Sequence, residues 1–260
     1  MSAILLDGSI VHYEVLGRGR PVIFLHSWVG SWKYWITSMQ VTSTSYRAYA
    51  LDLWGFGDTA HNVLKYSLDE QVKLLDDFLN KLGIGKIALV GHGLGALVGM
   101  KFAGRFPQSV DRLMAINCPL SFEAVNSRLR TAPPQELTEW LSSRTPESAA
   151  ALSDAQKADG KAITESMVGL QVDDLFGNFR SLNIPCLLVY GEKDQAITIP
   201  GYESAVSTLT HPIILEGSGH FPMIDEASKF NRLLTDFLAL DSGASPGELQ
   251  MKEEWKRRVR

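Results

Sequence analysis

From Lys86 to Met100 the chain runs through a short apolar stretch, Ile87-Ala88-Leu89-Val90, then Gly91-His92-Gly93-Leu94-Gly95, then a second apolar stretch from Ala96 to Met100. Glycines at alternate positions lack the Cβ atoms that would keep a strand and a following helix apart, and the central one can take a positive φ without steric cost. The stretch therefore reads as buried strand, very tight turn and helix. A unit of this kind needs a sheet whose faces receive helices, which points to an α/β architecture.

The rest of the chain keeps that rhythm. Ile4 to Leu6, Ile10 to Val15 and Val22 to His26 are β-rich runs broken by Asp7-Gly8 and by Gly17-Arg18-Gly19-Arg20-Pro21, both turn chemistries. His26-Ser27-Trp28-Val29-Gly30-Ser31 follows as a loop, and Trp32, Tyr34 and Trp35 open a helix. A strand at Tyr46 to Leu51 ends at the glycine-bearing loop Asp52 to Asp58. Ser67 then caps a helix with apolar residues at helical spacing (Leu68, Val72, Leu75, Phe78, Leu79, Leu82), and Gly83 stops it. After the strand Ile87 to Val90 come a helix from Leu94 to Phe106 and a strand at Val110 to Asn117.

Between Pro119 and Leu182 strand-type runs cease and helical stretches take over, at Glu136 to Leu141, Glu147 to Ala158 and Ile163 to Phe176. Strands return at Cys186 to Tyr190 and His211 to Leu215, and a last helix carries Phe230, Leu233, Leu234, Phe237 and Leu238. The expected organisation is a core from residues 1–118 and 183–240, a helical cap over 119–182, and an extension over 241–260. In the extension, Ser242 to Gly247 reads as a linker and Glu248 to Arg260 as a short helix with a basic end around Trp255, a solvated extension in preference to a partner-binding or membrane-surface helix.

A chain of 260 residues suits one domain with an insertion, since single cores grow to roughly 250 to 300 residues. A net charge of −4 without long runs of one sign offers no footprint for nucleic acid. No apolar run nears the roughly 20 residues that span a bilayer, and no basic segment precedes an apolar one at the N-terminus. The expectation is a soluble, cytoplasmic protein with no membrane partner. Cys118 and Cys186 each border an apolar run and read as buried thiols rather than a disulfide or metal pair; no metal is expected. Oligomeric state leaves no mark on the sequence.

The chemistry is concentrated after the strands. Gly91-His92-Gly93-Leu94-Gly95 fits the nucleophile-elbow pattern G-x-S-x-G except at its centre, where Gly93 replaces the nucleophile. Asp194 and His220 each stand just beyond a strand, where an open α/β sheet collects functional groups. A carboxylate on one imidazole nitrogen fixes the tautomer and stabilises the imidazolium, leaving the other nitrogen to take a proton. Elbow, acid and histidine come in the order of α/β-hydrolase triads.

On these motifs, together with His26-Ser27-Trp28-Val29-Gly30, Asp52 to Asp58, Gly191-Glu192-Lys193-Asp194 and Gly217-Ser218-Gly219-His220-Phe221-Pro222, the chain resembles the α/β-hydrolase fold superfamily from Ile10 to Leu240. The resemblance implies an eight-stranded, mostly parallel sheet with a cap inserted after the sixth strand. It implies an oxyanion hole from the backbone N–H groups of Trp28 and Leu94, structural roles for His26 and Asp52, no cofactor, and a small-molecule substrate. Ser27, Trp32, Trp54 and Phe221 are candidate pocket residues, although aromatic side chains at loop ends serve equally well as core. His92 is expected to pack beside the elbow without acting as a base.

Two departures from the family stand out: Ser27 where a glycine is usual, and Gly93 where serine is usual. Glycine cannot attack a carbonyl, so an acyl-enzyme at position 93 is closed. Gly93 is open to three readings: a serine deliberately replaced, a protein that binds without turnover or signals, or an enzyme in which His220 activates water. The expected parent activity is hydrolysis of an ester or a related carbonyl or carbon–carbon bond in a small apolar substrate, impaired in the chain as written. Neither Ser27 nor Ser218 is expected to replace the missing nucleophile, since neither sits at the elbow.

Overall fold

A computed structural model describes residues 2–171, 173–199 and 207–249. Eight strands form one sheet: β1 (Ser2–Leu6), β2 (Ser9–Gly17), β3 (Arg20–Leu25), β4 (Tyr46–Leu51), β5 (Ile87–His92), β6 (Val110–Ile116), β7 (Cys186–Gly191) and β8 (Thr210–Leu215). Their order across the sheet is β1-β2-β4-β3-β5-β6-β7-β8. The pairs β1·β2 and β2·β4 are antiparallel and the remaining neighbours parallel. The eight-stranded, mostly parallel α/β sheet read from the sequence is the one observed.

Local chemistry accounts for the strand ends. Asp7 and Gly8 both have positive φ, the backbone of the tight hairpin that joins β1 to β2. Every residue of β5 and of β7 is buried, which requires cover on both faces. Helices α1 (Ile36–Thr42), α2 (Leu68–Leu82), α3 (Leu94–Arg105) and, near the C-terminus, Ala227–Ala239 supply it. They pack in two separate pairs, α2 with α3 and α1 with the C-terminal helix. The α2 boundaries follow their signals: the Ser67 hydroxyl accepts from Glu70 N–H, and Gly83 closes the helix in the left-handed conformation.

The region 119–182 is helical as expected but more broken. Its pieces are α4 (Ser127–Thr131), α5 (Pro134–Leu141), α6 (Pro146–Ala151), α7 (Gly160–Glu165) and α8 (Leu175–Arg180). The helix expected over Glu147 to Ala158 stops after Ala151, and the one expected over Ile163 to Phe176 is divided between α7 and α8. Short acidic side chains start two of these pieces, because their carboxylates accept from backbone N–H groups that a helix's first turn leaves free. Asp159 caps Lys161 N–H and Asp174 caps Gly177 N–H, each starting a new helix.

The stretch read as a linker lies against the core instead. Ser242 Oγ donates to Asp111 Oδ1 at 2.6 Å and Ser245 Oγ donates to Thr208 O at 2.6 Å. The basic end of the extension, from residue 250 onward, lies outside the described residues. Among the described residues no helix is long and apolar enough to cross a membrane, and both cysteines are buried and unbridged.

Candidate active site

The parallel strands β3, β5, β7 and β8 end on the same edge, and their following loops converge. At β5 the chain turns at Gly93 with φ 50° and ψ −109°, then enters α3 at Leu94. A Cβ on Gly95 would run into the Leu25 carbonyl, and one on Gly91 into the Gly95 carbonyl. Backbone therefore passes backbone at distances only glycine permits. Gly93 N–H donates to Ile116 O at 2.9 Å and Gly95 N–H to His26 O at 3.0 Å, which ties the elbow to its neighbours on both sides.

Asp194 lies in the turn after β7, and both its carboxylate oxygens stand 3.0 Å from His220 Nδ1. Oδ1 also accepts from Ala196 N–H at 2.7 Å, so the carboxylate is held independently of the histidine. The loop after β8 is fixed by Asn117, at the end of β6. Asn117 Nδ2 donates to His220 O at 2.9 Å while its Oδ1 accepts from Gly191 N–H at 2.9 Å. Asn117 has φ 44°, a left-handed conformation that asparagine tolerates better than most residues. A single asparagine after a strand belongs to no motif, so nothing in the sequence singles it out.

His220 Nε2 faces the loop after β3, where Ser27 Oγ stands at 3.5 Å. Ser27 is clamped on both sides of its peptide: its N–H donates to Tyr34 Oη at 2.7 Å, and its carbonyl accepts from His26 Nδ1 at 2.7 Å. His26 Nε2 accepts from Leu53 N–H at 2.9 Å, so His26 is neutral and brackets the loops after β3 and β4. Burial holds its pKa below the usual imidazole value. Tyr34 Oη donates to His92 Nδ1 at 3.0 Å, and burial, followed by the neighbouring His220, pushes the His92 pKa well down.

One potential metal group occurs among the described residues, His12, Asp52 and Asp58, with ligand atoms within 4.8 Å of one another. Asp52 is already committed there, accepting from Trp32 N–H at 2.8 Å, Asp58 N–H at 3.1 Å and His12 Nδ1 at 2.9 Å. The trio anchors loops.

A family profile described as the alpha/beta hydrolase fold matches residues 20–162. The chain belongs to the α/β-hydrolase fold family. It is 26% identical to an uncharacterized protein of Mycobacterium tuberculosis, over 87% of this chain and 77% of that one. It is 24% identical to 2-hydroxy-6-oxo-6-(2'-aminophenyl)hexa-2,4-dienoic acid hydrolase of Metapseudomonas resinovorans, over 89% of this chain and 88% of that one. An esterase from Exiguobacterium antarcticum superposes with a TM-score of 0.79 at 18% identity, covering 91% of this chain and 98% of that chain.

Within this hydrolase fold the remaining candidate residues divide. Trp28 is fully buried, and its Nε1 donates to Ser166 Oγ of the 119–182 region at 3.0 Å. Phe221 packs edge-on against Tyr34, His92 and His220, with ring centroids 5.0 to 5.6 Å apart. Trp32 packs on His12 at 5.8 Å, and Trp54 carries the Lys65 ammonium over its face at 4.5 Å. Neither tryptophan ring stacks on His220. A cleft of about 570 Å3 opens between Trp140 and Thr145 on one side and Lys193, Gln195 and Ile224 on the other, with His220 in its wall. Trp140 Nε1 donates to Gln195 Oε1 across it at 2.8 Å. Trp140, Thr145, Gln195 and Ile224 lie in stretches without motif, whereas Lys193 belongs to the Gly191-Glu192-Lys193-Asp194 motif and His220 is the expected histidine.

Proposed function

We propose that the protein hydrolyses an ester, or a related carbonyl or carbon–carbon bond, of a small apolar molecule, with His220 as acid and base and Asp194 as its orienter. The single observation that carries this reading is the His220 imidazole, bound at Nδ1 by both Asp194 oxygens at 3.0 Å and turned with Nε2 toward the elbow. A carboxylate so placed selects the tautomer with a free Nε2 lone pair and stabilises the imidazolium formed when that nitrogen takes a proton. The esterase and the 2-hydroxy-6-oxo-6-(2'-aminophenyl)hexa-2,4-dienoic acid hydrolase among the similar proteins support hydrolysis of a small molecule.

In this reading the backbone N–H groups of Trp28 and Leu94 hold the developing oxyanion. Leu94 opens α3, and a first-turn N–H has no acceptor inside its own helix. Residues 1–118 and 183–240 form the catalytic core, and 119–182 act as the cap that shapes the substrate site. No acyl-enzyme forms on Gly93.

Hydrolysis of 4-nitrophenyl butyrate by the purified chain, compared with His220→Ala, tests the assignment. The expected result is a loss of about a thousandfold or more in kcat. Equal rates for both proteins would reject a hydrolase built on this pair and leave a ligand-binding role.

A further inference from the structure

The elbow lacks a side chain, and a hydroxyl stands where that side chain would be. A Cβ built on Gly93 would overlap Ser27 Oγ and lie 3.0 Å from Ser27 Cβ and 3.3 Å from Trp28 Cε3. The same Ser27 hydroxyl is the side-chain partner of His220 Nε2 among the described residues, at 3.5 Å. Its backbone is held on both sides, by Tyr34 Oη and by His26 Nδ1, and the side chain is fully buried with its hydroxyl against His220. The two departures from the family pattern, at 27 and at 93, thus meet at one point in space.

We propose that Ser27 is the nucleophile of this protein, a catalytic residue supplied by the loop after β3 and served by the Asp194-oriented His220. The proposal rests on the base assigned above and reverses the sequence-based expectation for Ser27. The same expectation is retained for Ser218, whose hydroxyl is committed to Leu215 O at 2.9 Å.

The chemistry balances with an ester as the sole co-reactant besides water. Ser27 Oγ gives its proton to His220 Nε2 and bonds the acyl carbon, while the carbonyl π electrons move onto oxygen. Collapse of that tetrahedral species breaks the carbon–alkoxide bond, and the leaving alkoxide takes the proton from His220. Water then attacks the acyl carbon and gives a proton to Nε2, and Ser27 departs carrying that proton. Trp28 becomes the residue directly after the nucleophile. The Ser27 N–H, engaged by Tyr34, is excluded as an oxyanion donor. A 3.5 Å contact is long for proton transfer, but such bonds tighten when substrate is bound.

The test uses two independent readouts on the full chain. A fluorophosphonate should form one Oγ–phosphorus bond with loss of fluoride, and peptide mapping should find the adduct on Ser27. Ser27→Ala should lose the adduct and at least about a thousandfold of 4-nitrophenyl butyrate hydrolysis, with an unchanged melting temperature. The exchanged variant Ser27→Gly/Gly93→Ser should take the adduct at position 93.

A folded Ser27→Ala that keeps its rate within about threefold, an adduct on any residue other than Ser27, or a folded exchanged variant that takes no adduct overturns the proposal. If His220→Ala is inactive while Ser27→Ala is active, the Ser27 assignment falls and the hydrolase reading stands. If neither substitution changes the rate, both fall. Labelling of Ser27 does not depend on turnover, so it decides even if 4-nitrophenyl butyrate is a poor substrate.

Discussion

Two turns at the ends of neighbouring strands build the centre of this site by opposite means. The elbow after β5 is almost pure backbone, with glycines at 91, 93 and 95 and its conformation fixed by peptide hydrogen bonds to Ile116 and His26. The loop after β3 is held by side chains: Tyr34 and His26 grip Ser27, and Asp52 gathers Trp32, Asp58 and His12 around it. One turn supplies shape without a functional group. The other supplies a functional group whose position depends on a network. Geometry and reactivity, joined in one residue where an elbow carries serine, are divided here between two strands.

The comparison is sharpest where a methyl group is added to the glycine turn. Gly95→Ala drives a Cβ into the Leu25 carbonyl, and a β-strand backbone has nowhere to move. We expect a loss of about 3 kcal/mol or more, read as a drop of roughly 6 to 12 °C in melting temperature for a chain of this size. An unchanged melting temperature would mean that the strand and helix do not approach as closely as described.

Gly93→Ala should cost less. The obstacle there is a positive φ, worth about 1 to 3 kcal/mol for a non-glycine residue, together with overlap on the Ser27 hydroxyl. In a Ser27→Gly background the overlap disappears and only the backbone cost remains. Denaturant unfolding of the four proteins in the cycle should give a coupling of about 1 kcal/mol between positions 27 and 93. Additive effects would separate the two turns.

The last comparison concerns two buried histidines that tie the turns together, His26 on the loop after β3 and His92 in the elbow. His26 and His92 have folded pKa values below the ordinary imidazole value of 6.5, burial being the first cause in each. Both stay neutral in the fold, whereas the unfolded chain protonates them. Their stability contribution is therefore complete above about pH 6.5 and is lost as the pH falls below it. For His92, whose pKa lies well down, the slope approaches about 1.4 kcal/mol per pH unit, and His26 contributes with the same sign.

His12 works the other way. Burial opposes its charge, but Asp52 and Glu14 together outweigh burial and raise its pKa. Its contribution is complete below about pH 6.5 and fades as pH rises through the higher folded value. Replacing His92 with Gln should flatten the acid limb of a stability-against-pH curve and leave the limb above neutrality unchanged.

Much of this was legible in the sequence because the relevant signals are local. Gly83 after an amphipathic run, Asp7-Gly8 between two short strands and glycines flanking an apolar strand each dictate backbone within a few residues. Asp194 and His220 were legible because strand ends in an α/β sheet collect at one edge. The overlap of position 93 with Ser27 was not legible, since it is a contact between residues far apart in the chain. Asn117 escaped for a related reason: the oxygen and nitrogen of its side-chain amide find partners on β7 and on the loop after β8, and neither neighbour is implied by the sequence around it. Within 119–182 the start of α8 escaped because Asp174 caps a new helix where apolar spacing alone predicts continuation.

The overlap between a side chain at 93 and the hydroxyl at 27 also constrains how such a protein can change over generations. Two arrangements place one hydroxyl at this point, serine at 93 facing glycine at 27, or the reverse. Any path between them that alters one codon at a time crosses an intermediate with two hydroxyls contending for one volume, or with none. The first is strained and the second inert, so once either arrangement is established it resists drift toward the other.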